Sequence, residues 1–214
     1  DILAPVAWDA IELGPALEAV GPAPVPLLGH GTLAARAPTS AATLAGLRAG
    51  LAAPVFLDVN LRPPWCPTAA VESLLAGTRW AKLNGDELAA LAGLPATATR
   101  ADELALAARC HDRFALDTLI VTRGGDGALV LTGAETVAAR PPDLATAMVD
   151  TVGAGDAFCA AWIAGLLEGR SPQQTLARAL ELAAVVCGLH GAVIPDRETY
   201  ARLRSRWLDR ERDA

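Results

Sequence analysis

The apolar and polar positions of this chain alternate between short apolar runs and longer stretches of helical spacing. Ile2, Leu3, Val6 and Trp8 precede a short helical pattern over Ala10 to Ala19, which Gly21-Pro22-Ala23-Pro24 ends. Val25 to Leu28 reads as a short buried strand, and Gly29-His30-Gly31-Thr32 as a flexible loop. Thr39 or Ser40 is the expected cap of a helix running to about Ala52, stopped by Gly50 and Pro54. Pro54 to Asn60 is a β-branched, apolar run with a polar end, the pattern of a parallel strand buried on both faces. Leu61-Arg62-Pro63-Pro64-Trp65 is then a stiff loop, because each proline fixes its own φ and restrains its neighbour. A helix over Thr68 to Gly77 follows, then a strand over Trp80 to Asn84.

Asn84-Gly85-Asp86-Glu87 opens a helix over Glu87 to Ala92, ended by Gly93 and Pro95, and a second helix spans Ala101 to about Arg113. Thr118 to Thr122 is a strand, Arg123 to Gly127 a tight turn and Ala128 to Thr132 the return strand, antiparallel by its short connection. Thr136 to Arg140 adds an edge strand, and a polar, proline-containing stretch runs from Arg140 to Thr146. Helices are expected at Asp156–Leu167, Pro172–Leu189 and Arg197–Asp209. Strands alternating with helices predict an α/β fold with a largely parallel sheet. Ligands of such sheets lie beyond the carboxyl ends of the strands. Polar or glycine residues collect at four such ends: Asp58 and Asn60, Asn84 and Glu87, Thr122 and Gly124, and the loop at Gly153.

With 214 residues the chain is one large domain or two small ones. It is 52% hydrophobic but only 4% aromatic, so the core must be built from Ala, Leu and Val. A net charge of −6 and no basic cluster argue against nucleic acid as a partner. Cys66, Cys110, Cys159 and Cys187 are widely spaced, which suits buried thiols of a cytoplasmic protein better than zinc or disulfides. The most apolar region, Ala179 to Ile194, is interrupted by Glu181 and His190 and is too short to span a membrane; it reads as a core helix. His30, His111 and His190 have no metal-ligand spacing. Lys82 is the one lysine, which we read as compositional bias.

The chemistry centres on Asp150-Thr151-Val152-Gly153-Ala154-Gly155-Asp156-Ala157-Phe158. Its glycines sit where a loop becomes a helix, so backbone can approach a ligand closely. The unpaired N–H groups and partial positive charge of a helix start make an anion site. A carboxylate at Asp156 would repel a resting anion, but it makes sense as the acceptor of a proton from a hydroxyl that attacks that anion. A glycine-rich turn with an acid in the first helical turn fits the same residues. No G-x-x-x-x-G-K-[ST] occurs, and Gly153-x-Gly155 lacks the third glycine of a dinucleotide fingerprint.

Three further stretches each carry two readings. Asn84-x-x-Glu87 is either a phosphate and Mg²⁺ site acting through water or a helix-capping pair. Thr122-x-Gly124-x-x-Gly127 either passes beside a nucleotide or simply turns a hairpin. In Asp58-Val59-Asn60-Leu61-Arg62, the Arg62 fork either holds a phosphoryl or acidic group or pairs with Asp58.

Taken together these stretches resemble the ribokinase/PfkB family of sugar kinases. The segment Asp150 to Phe158 is similar to that family's second signature, Asn84 to Glu87 to its N-x-x-E motif, and Thr122 to Ala128 to its nucleotide-side turn. Asp58 to Trp65 resembles the fructokinase-like and 2-keto-3-deoxygluconate kinase-like branches. The resemblance implies a three-layer αβα sandwich around a mostly parallel sheet, and ATP-dependent phosphorylation of a sugar's primary hydroxyl, with fructose the expected acceptor. It implies Asp156 as base and the N–H groups of Gly153, Ala154 and Gly155 as anion hole. Asn84 and Glu87 would act on phosphates and Mg²⁺, and Thr122, Gly124, Gly127, Gly191 and Ala192 would line the nucleotide. Asn60 and Arg62 would face the sugar. K⁺ near the glycine loop and a homodimer of the full-length protein are further implications. The family's Gly-Gly…Asn sugar signature, first strands and β-lid are not in this sequence. Residues 1–214 therefore read as the C-terminal two-thirds of a kinase domain, either part of a longer protein or a shortened nucleotide-binding relative without catalysis.

Overall fold

The structure, a computed structural model, describes residues 5–94, 100–143 and 148–212. The chain divides into two compact units, Asp1–Thr122 with Leu131–Glu135, and Arg123–Val130 with Thr136–Ala214. Strands β1 (Leu28–Gly31), β2 (Val55–Asp58), β3 (Trp80–Asn84) and β4 (Thr118–Thr122) of the first unit pair in parallel in chain order. Leu57 stands opposite Ala81, and Ala81 opposite Leu119. Helices α1 (Leu13–Val20), α2 (Pro38–Gly50), α3 (Thr68–Leu75), α4 (Gly85–Leu91) and α5 (Arg100–Arg113) belong to the same unit.

The unbroken apolar runs of β2 to β4 follow from burial on both faces. Leu57, Leu83, Leu119, Ile120 and Val121 are wholly out of solvent. Each such side chain contributes about 2 kcal/mol of apolar burial.

Strands β5 (Ala128–Thr132) and β6 (Thr136–Ala139) complete the sheet order β1-β2-β3-β4-β5-β6. A five-residue connection between neighbouring strands permits only antiparallel pairing, and Arg123 N–H donates to Gly127 O across the turn at 2.8 Å. The second unit also holds α6 (Ala154–Leu167), α7 (Pro172–Cys187) and α8 (Arg197–Arg212). Helices α6 and α7 approach so closely that a Cβ on Gly165 would lie 2.7 Å from the Thr175 side chain.

Helix α8 is tied to α7 by buried charges, an arrangement that is tolerable only because each is paired. Arg178 Nε donates to Glu211 Oε1 at 2.9 Å, its Nη1 to Glu168 Oε2 at 2.9 Å, and Trp207 Nε1 to Glu181 Oε2 at 2.8 Å.

Several boundaries differ from the sequence-based expectation. The first strand is Leu28–Gly31, and the more apolar Val25–Leu28 segment is not a strand over its length. Pro26 has no N–H to give, whereas Leu28 N–H donates to Pro54 O and starts the pairing. Helix α2 is capped by Ala37, with Pro38 in the first turn, and not by Thr39 or Ser40. Proline suits that first turn. Helix α6 starts at Ala154 rather than Asp156, because Gly153 takes the cap position with φ +81°. Helix α7 ends at Cys187, so Ala179–Ile194 is not one helix; Gly188 caps it and Gly191 has φ +86°. Cys110 and Cys159 are buried as expected, but Cys66 and Cys187 are half-buried. The expected stop at Pro95 and the approach at Thr146 lie outside the described residues.

Candidate functional site

In the first unit the carboxyl ends of β2, β3 and β4 carry most of the polar residues singled out above. Asn84 caps α4: its side chain accepts from Glu87 N–H at 2.8 Å, and Glu87 Oε2 accepts from Asn84 N–H at 2.8 Å. This is a reciprocal capping pair. The other carboxylate oxygen, Oε1, accepts from Leu61 N–H at 2.7 Å, and Glu87 is buried. Asn60 is half-buried with φ +39°, in the left-handed region. Thr32 Oγ1 donates to its carbonyl at 3.2 Å. Thr122 stands opposite Asn84 in the β3–β4 register, and its hydroxyl lies 3.4 Å from Leu83 O. Glu87, Asn84, Thr122 and the Asn60–Leu61 backbone are thus brought together. Arg62 is exposed, with Nη1 on Leu61 O at 3.1 Å.

Two features of this region escaped the sequence reading. Lys82, set aside as compositional bias, is buried and pairs with Asp58 at 2.8 Å. The signal was there: a lysine inside an apolar strand needs a partner. Arg36 lies over the rings of both Trp8 and Trp65, 5.6 and 5.2 Å from their centroids, and is gripped by Asp9 through two 2.7 Å hydrogen bonds. Nothing in the spacing of these residues announces the stack. His30 accompanies them as a structural group: burial pushes its pKa down to about 4, against the raising effect of its contact with Gly31 O.

In the second unit the turn before α6 is built on Gly153. A Cβ there would fall 2.6 Å from Ala192 Cα, so the turn rests directly on the Gly191–Ala192 segment. Val149 N–H donates to Cys187 O at 2.8 Å and Val152 N–H to Asp150 Oδ1 at 3.0 Å, which fixes the approach. Ala154 N–H is directed at Thr151 O at 3.2 Å, and the first helical bond runs from Ala157 N–H to Gly153 O. Helix geometry therefore leaves the N–H groups of Gly155 and Asp156 at the open end of the turn. Gly155 and Asp156 are exposed. Asp156 is the third residue of α6, and its cap has no side chain to bind it.

The hairpin glycines divide. Gly127 is buried, with φ +90°, and a Cβ would strike Ala139 O at 1.9 Å, which explains it structurally. Gly124 is exposed and has open space where a Cβ would be, so its backbone is approachable.

Among the described residues no three His, Cys, Asp or Glu side chains converge as a metal cage. Mg²⁺ commonly binds through phosphates, waters and one or two carboxylates. A buried Glu87 with an N–H on each oxygen fits contact through water, and not direct ligation. No described helix is long and apolar enough to cross a membrane.

The family model described as pfkB family carbohydrate kinase matches residues 28–199. The 1-phosphofructokinase of Haloferax volcanii is 37% identical over 117 residues, covering 55% of this chain and 37% of that protein. The ribokinase of Arabidopsis thaliana is 30% identical over 152 residues, covering 70% of this chain and 38% of the relative. Its structure, solved with ribose and ATP, superposes with a TM-score of 0.61 at 28% identity over 75% of this chain and 50% of that one. The fructokinase of Vibrio cholerae O395 shares the fold, with a TM-score of 0.64 at 24% identity over 83% of this chain and 60% of that one. The matched segments span well under half the length of the curated relatives. The α/β, mostly parallel architecture is that of ribokinase-like structures.

Proposed function

Because this chain belongs to the pfkB family of carbohydrate kinases, we propose that the protein transfers the γ-phosphoryl group of ATP to a primary hydroxyl of a sugar, with fructose as acceptor and fructose 6-phosphate as product. The observation that carries this reading is the Gly153 turn. It presents first-turn N–H groups and an exposed, uncapped carboxylate at one helix start.

On this reading the Asp156 carboxylate takes the hydroxyl proton while the sugar oxygen bonds to phosphorus. The bond from phosphorus to the β–γ bridging oxygen breaks, and ADP leaves. The backbone at Gly153, Ala154 and Gly155 steadies the charge on the moving phosphoryl group, with Gly155 and Asp156 N–H the groups best placed to donate. Thr122, Gly124, Gly191 and Ala192 are assigned to the nucleotide, and Asn60 and Arg62 to the sugar. Asn84 and Glu87 would meet Mg²⁺ through water. That ion, when bound, supplies positive charge to the phosphates. A K⁺ site near the glycine loop, a homodimer and a cytoplasmic location belong to the same proposal.

A second acceptor, 2-keto-3-deoxygluconate, is favoured by one observation: the Arg62 guanidinium is exposed at the loop tip, where its planar fork suits a carboxylate. The test is ADP release measured against a sugar panel. Release with fructose supports the first acceptor, and release with the keto-deoxy acid supports the second. ATP binding without release on any sugar favours a non-catalytic nucleotide-binding protein.

A further inference from the structure

We propose that Glu87 is a positioning residue for the segment Asn60–Arg62, which it holds through the Leu61 N–H. The role rests on the reading of Arg62 as a sugar-facing group, and it differs from a role at the metal. Leu61 is half-buried, and an N–H turned inward outside any strand needs an acceptor. The acceptor of Leu61 N–H is a carboxylate 26 positions along the chain, at 2.7 Å. The opposite oxygen of that carboxylate accepts from Asn84 N–H at 2.8 Å. One buried acid therefore fastens the end of β2 to the start of α4, and its burial is tolerable because both oxygens are hydrogen-bonded.

The segment it holds needs holding. Asn60 lies in the left-handed region, which asparagine reaches more readily than other non-glycine residues but which is still favoured by tethers on either side. Three are present: Val59 N–H on Lys82 O at 2.8 Å, Thr32 Oγ1 on Asn60 O at 3.2 Å, and the Leu61–Glu87 bond. The loop's far end is fixed as well, with Trp65 N–H on Arg62 O at 2.9 Å and the Trp65 ring against Arg36. Arg62 is the charged side chain exposed between these two anchors, beside the exposed Pro63 and Pro64.

Glu87→Gln is the informative variant. Its amide has one oxygen to accept and an NH₂ that faces a second N–H, so one of the two bonds must go. In the unmutated protein the Leu61 amide is expected to exchange with solvent on the order of 100-fold more slowly than an unstructured amide. Exchange at the unstructured rate overturns the proposal whatever the variant does. In Glu87→Gln, Leu61 exchange is expected to speed up about 10-fold or more. With ATP and the sugar found by the panel, KM for the sugar rises, whatever the magnesium half-saturation point does. The effect on sugar KM is also expected to be non-additive with Arg62→Ala, as for groups acting as one unit. A Glu87→Gln protein whose only change is a raised magnesium requirement, with Leu61 protection intact, overturns the proposal. If no sugar is phosphorylated, the kinase reading fails while the exchange measurements still decide whether Glu87 fastens the segment.

Discussion

Helices α4 and α6 each carry an acid at the third residue, and the two acids have opposite fates. In α4, Glu87 turns back onto its own cap and is buried, with an N–H on each oxygen. In α6, Asp156 stays exposed. The difference lies in the residue at the cap. Asn84 offers a side chain that reciprocates, whereas Gly153 offers none and adopts a left-handed conformation instead. An acid near a helix start therefore says little by itself. In this pair the reciprocating cap goes with the carboxylate bound into the framework, and the glycine cap with the one left exposed.

The largest expected effect breaks the comparison on its catalytic side. Asp156→Asn should lower turnover by roughly 10²–10⁴-fold, the usual contribution of a positioned base. The unfolding midpoint should hardly move, because an exposed residue without a structural role is worth within about 0.5 kcal/mol. Unchanged turnover in the purified variant would remove Asp156 as the base.

Acid should act on the first unit through His30. Its pKa is lowered from 6.5 to about 4 by burial, so the unfolded chain takes up the proton first as pH falls. The stabilisation is therefore fully present above pH 6.5 and is lost between there and about pH 4. The shift corresponds to about 3 kcal/mol. Denaturant melts across that window should flatten in His30→Gln, and an unaltered slope would contradict this account.

Gly153→Ala tests the other half of the comparison. The residue has φ +81°, and its new Cβ would lie 2.6 Å from Ala192 Cα. A left-handed non-glycine residue costs roughly 1–2 kcal/mol before any clash. We expect a stability loss of about 2 kcal/mol or more, together with weakened ATP binding measured by calorimetry. A variant as stable as the parent would mean that the turn does not rest tightly on the Gly191–Ala192 segment.

How much of this was legible in the sequence depends on whether local or distant contacts set the outcome. Strands β3, β4 and β5 fall where apolar runs placed them, because a strand buried on both faces leaves an unbroken pattern. Strand β1 did not, because Gly29 and His30 are strand residues only through pairing with β2. At the candidate site, the Asn84–Glu87 cap could be read from spacing alone. The Leu61–Glu87 bond, the Lys82–Asp58 pair and the Trp8–Arg36–Trp65 stack join residues 24 or more positions apart, and no local pattern encodes such partners. Gly127 shows the converse. It was assigned to the nucleotide, yet the nearby Ala139 carbonyl already requires a glycine there.

The smallest effect sharpens the framework side. Asn84→Ala removes the oxygen that accepts Glu87 N–H at 2.8 Å but leaves the Asn84 N–H that donates to Glu87 Oε2. Losing a side-chain cap costs about 1 kcal/mol. The expected result is a modest fall in the unfolding midpoint while Glu87 keeps its grip on Leu61, because that bond uses Oε1 and not the cap. Asp156→Asn, by contrast, has no reciprocal partner to disturb. If Asn84→Ala instead freed the Leu61 amide to exchange as fast as Glu87→Gln does, the cap and the tether would be one cooperative unit. The two turns would then differ in degree of coupling rather than in whether the acid is bound.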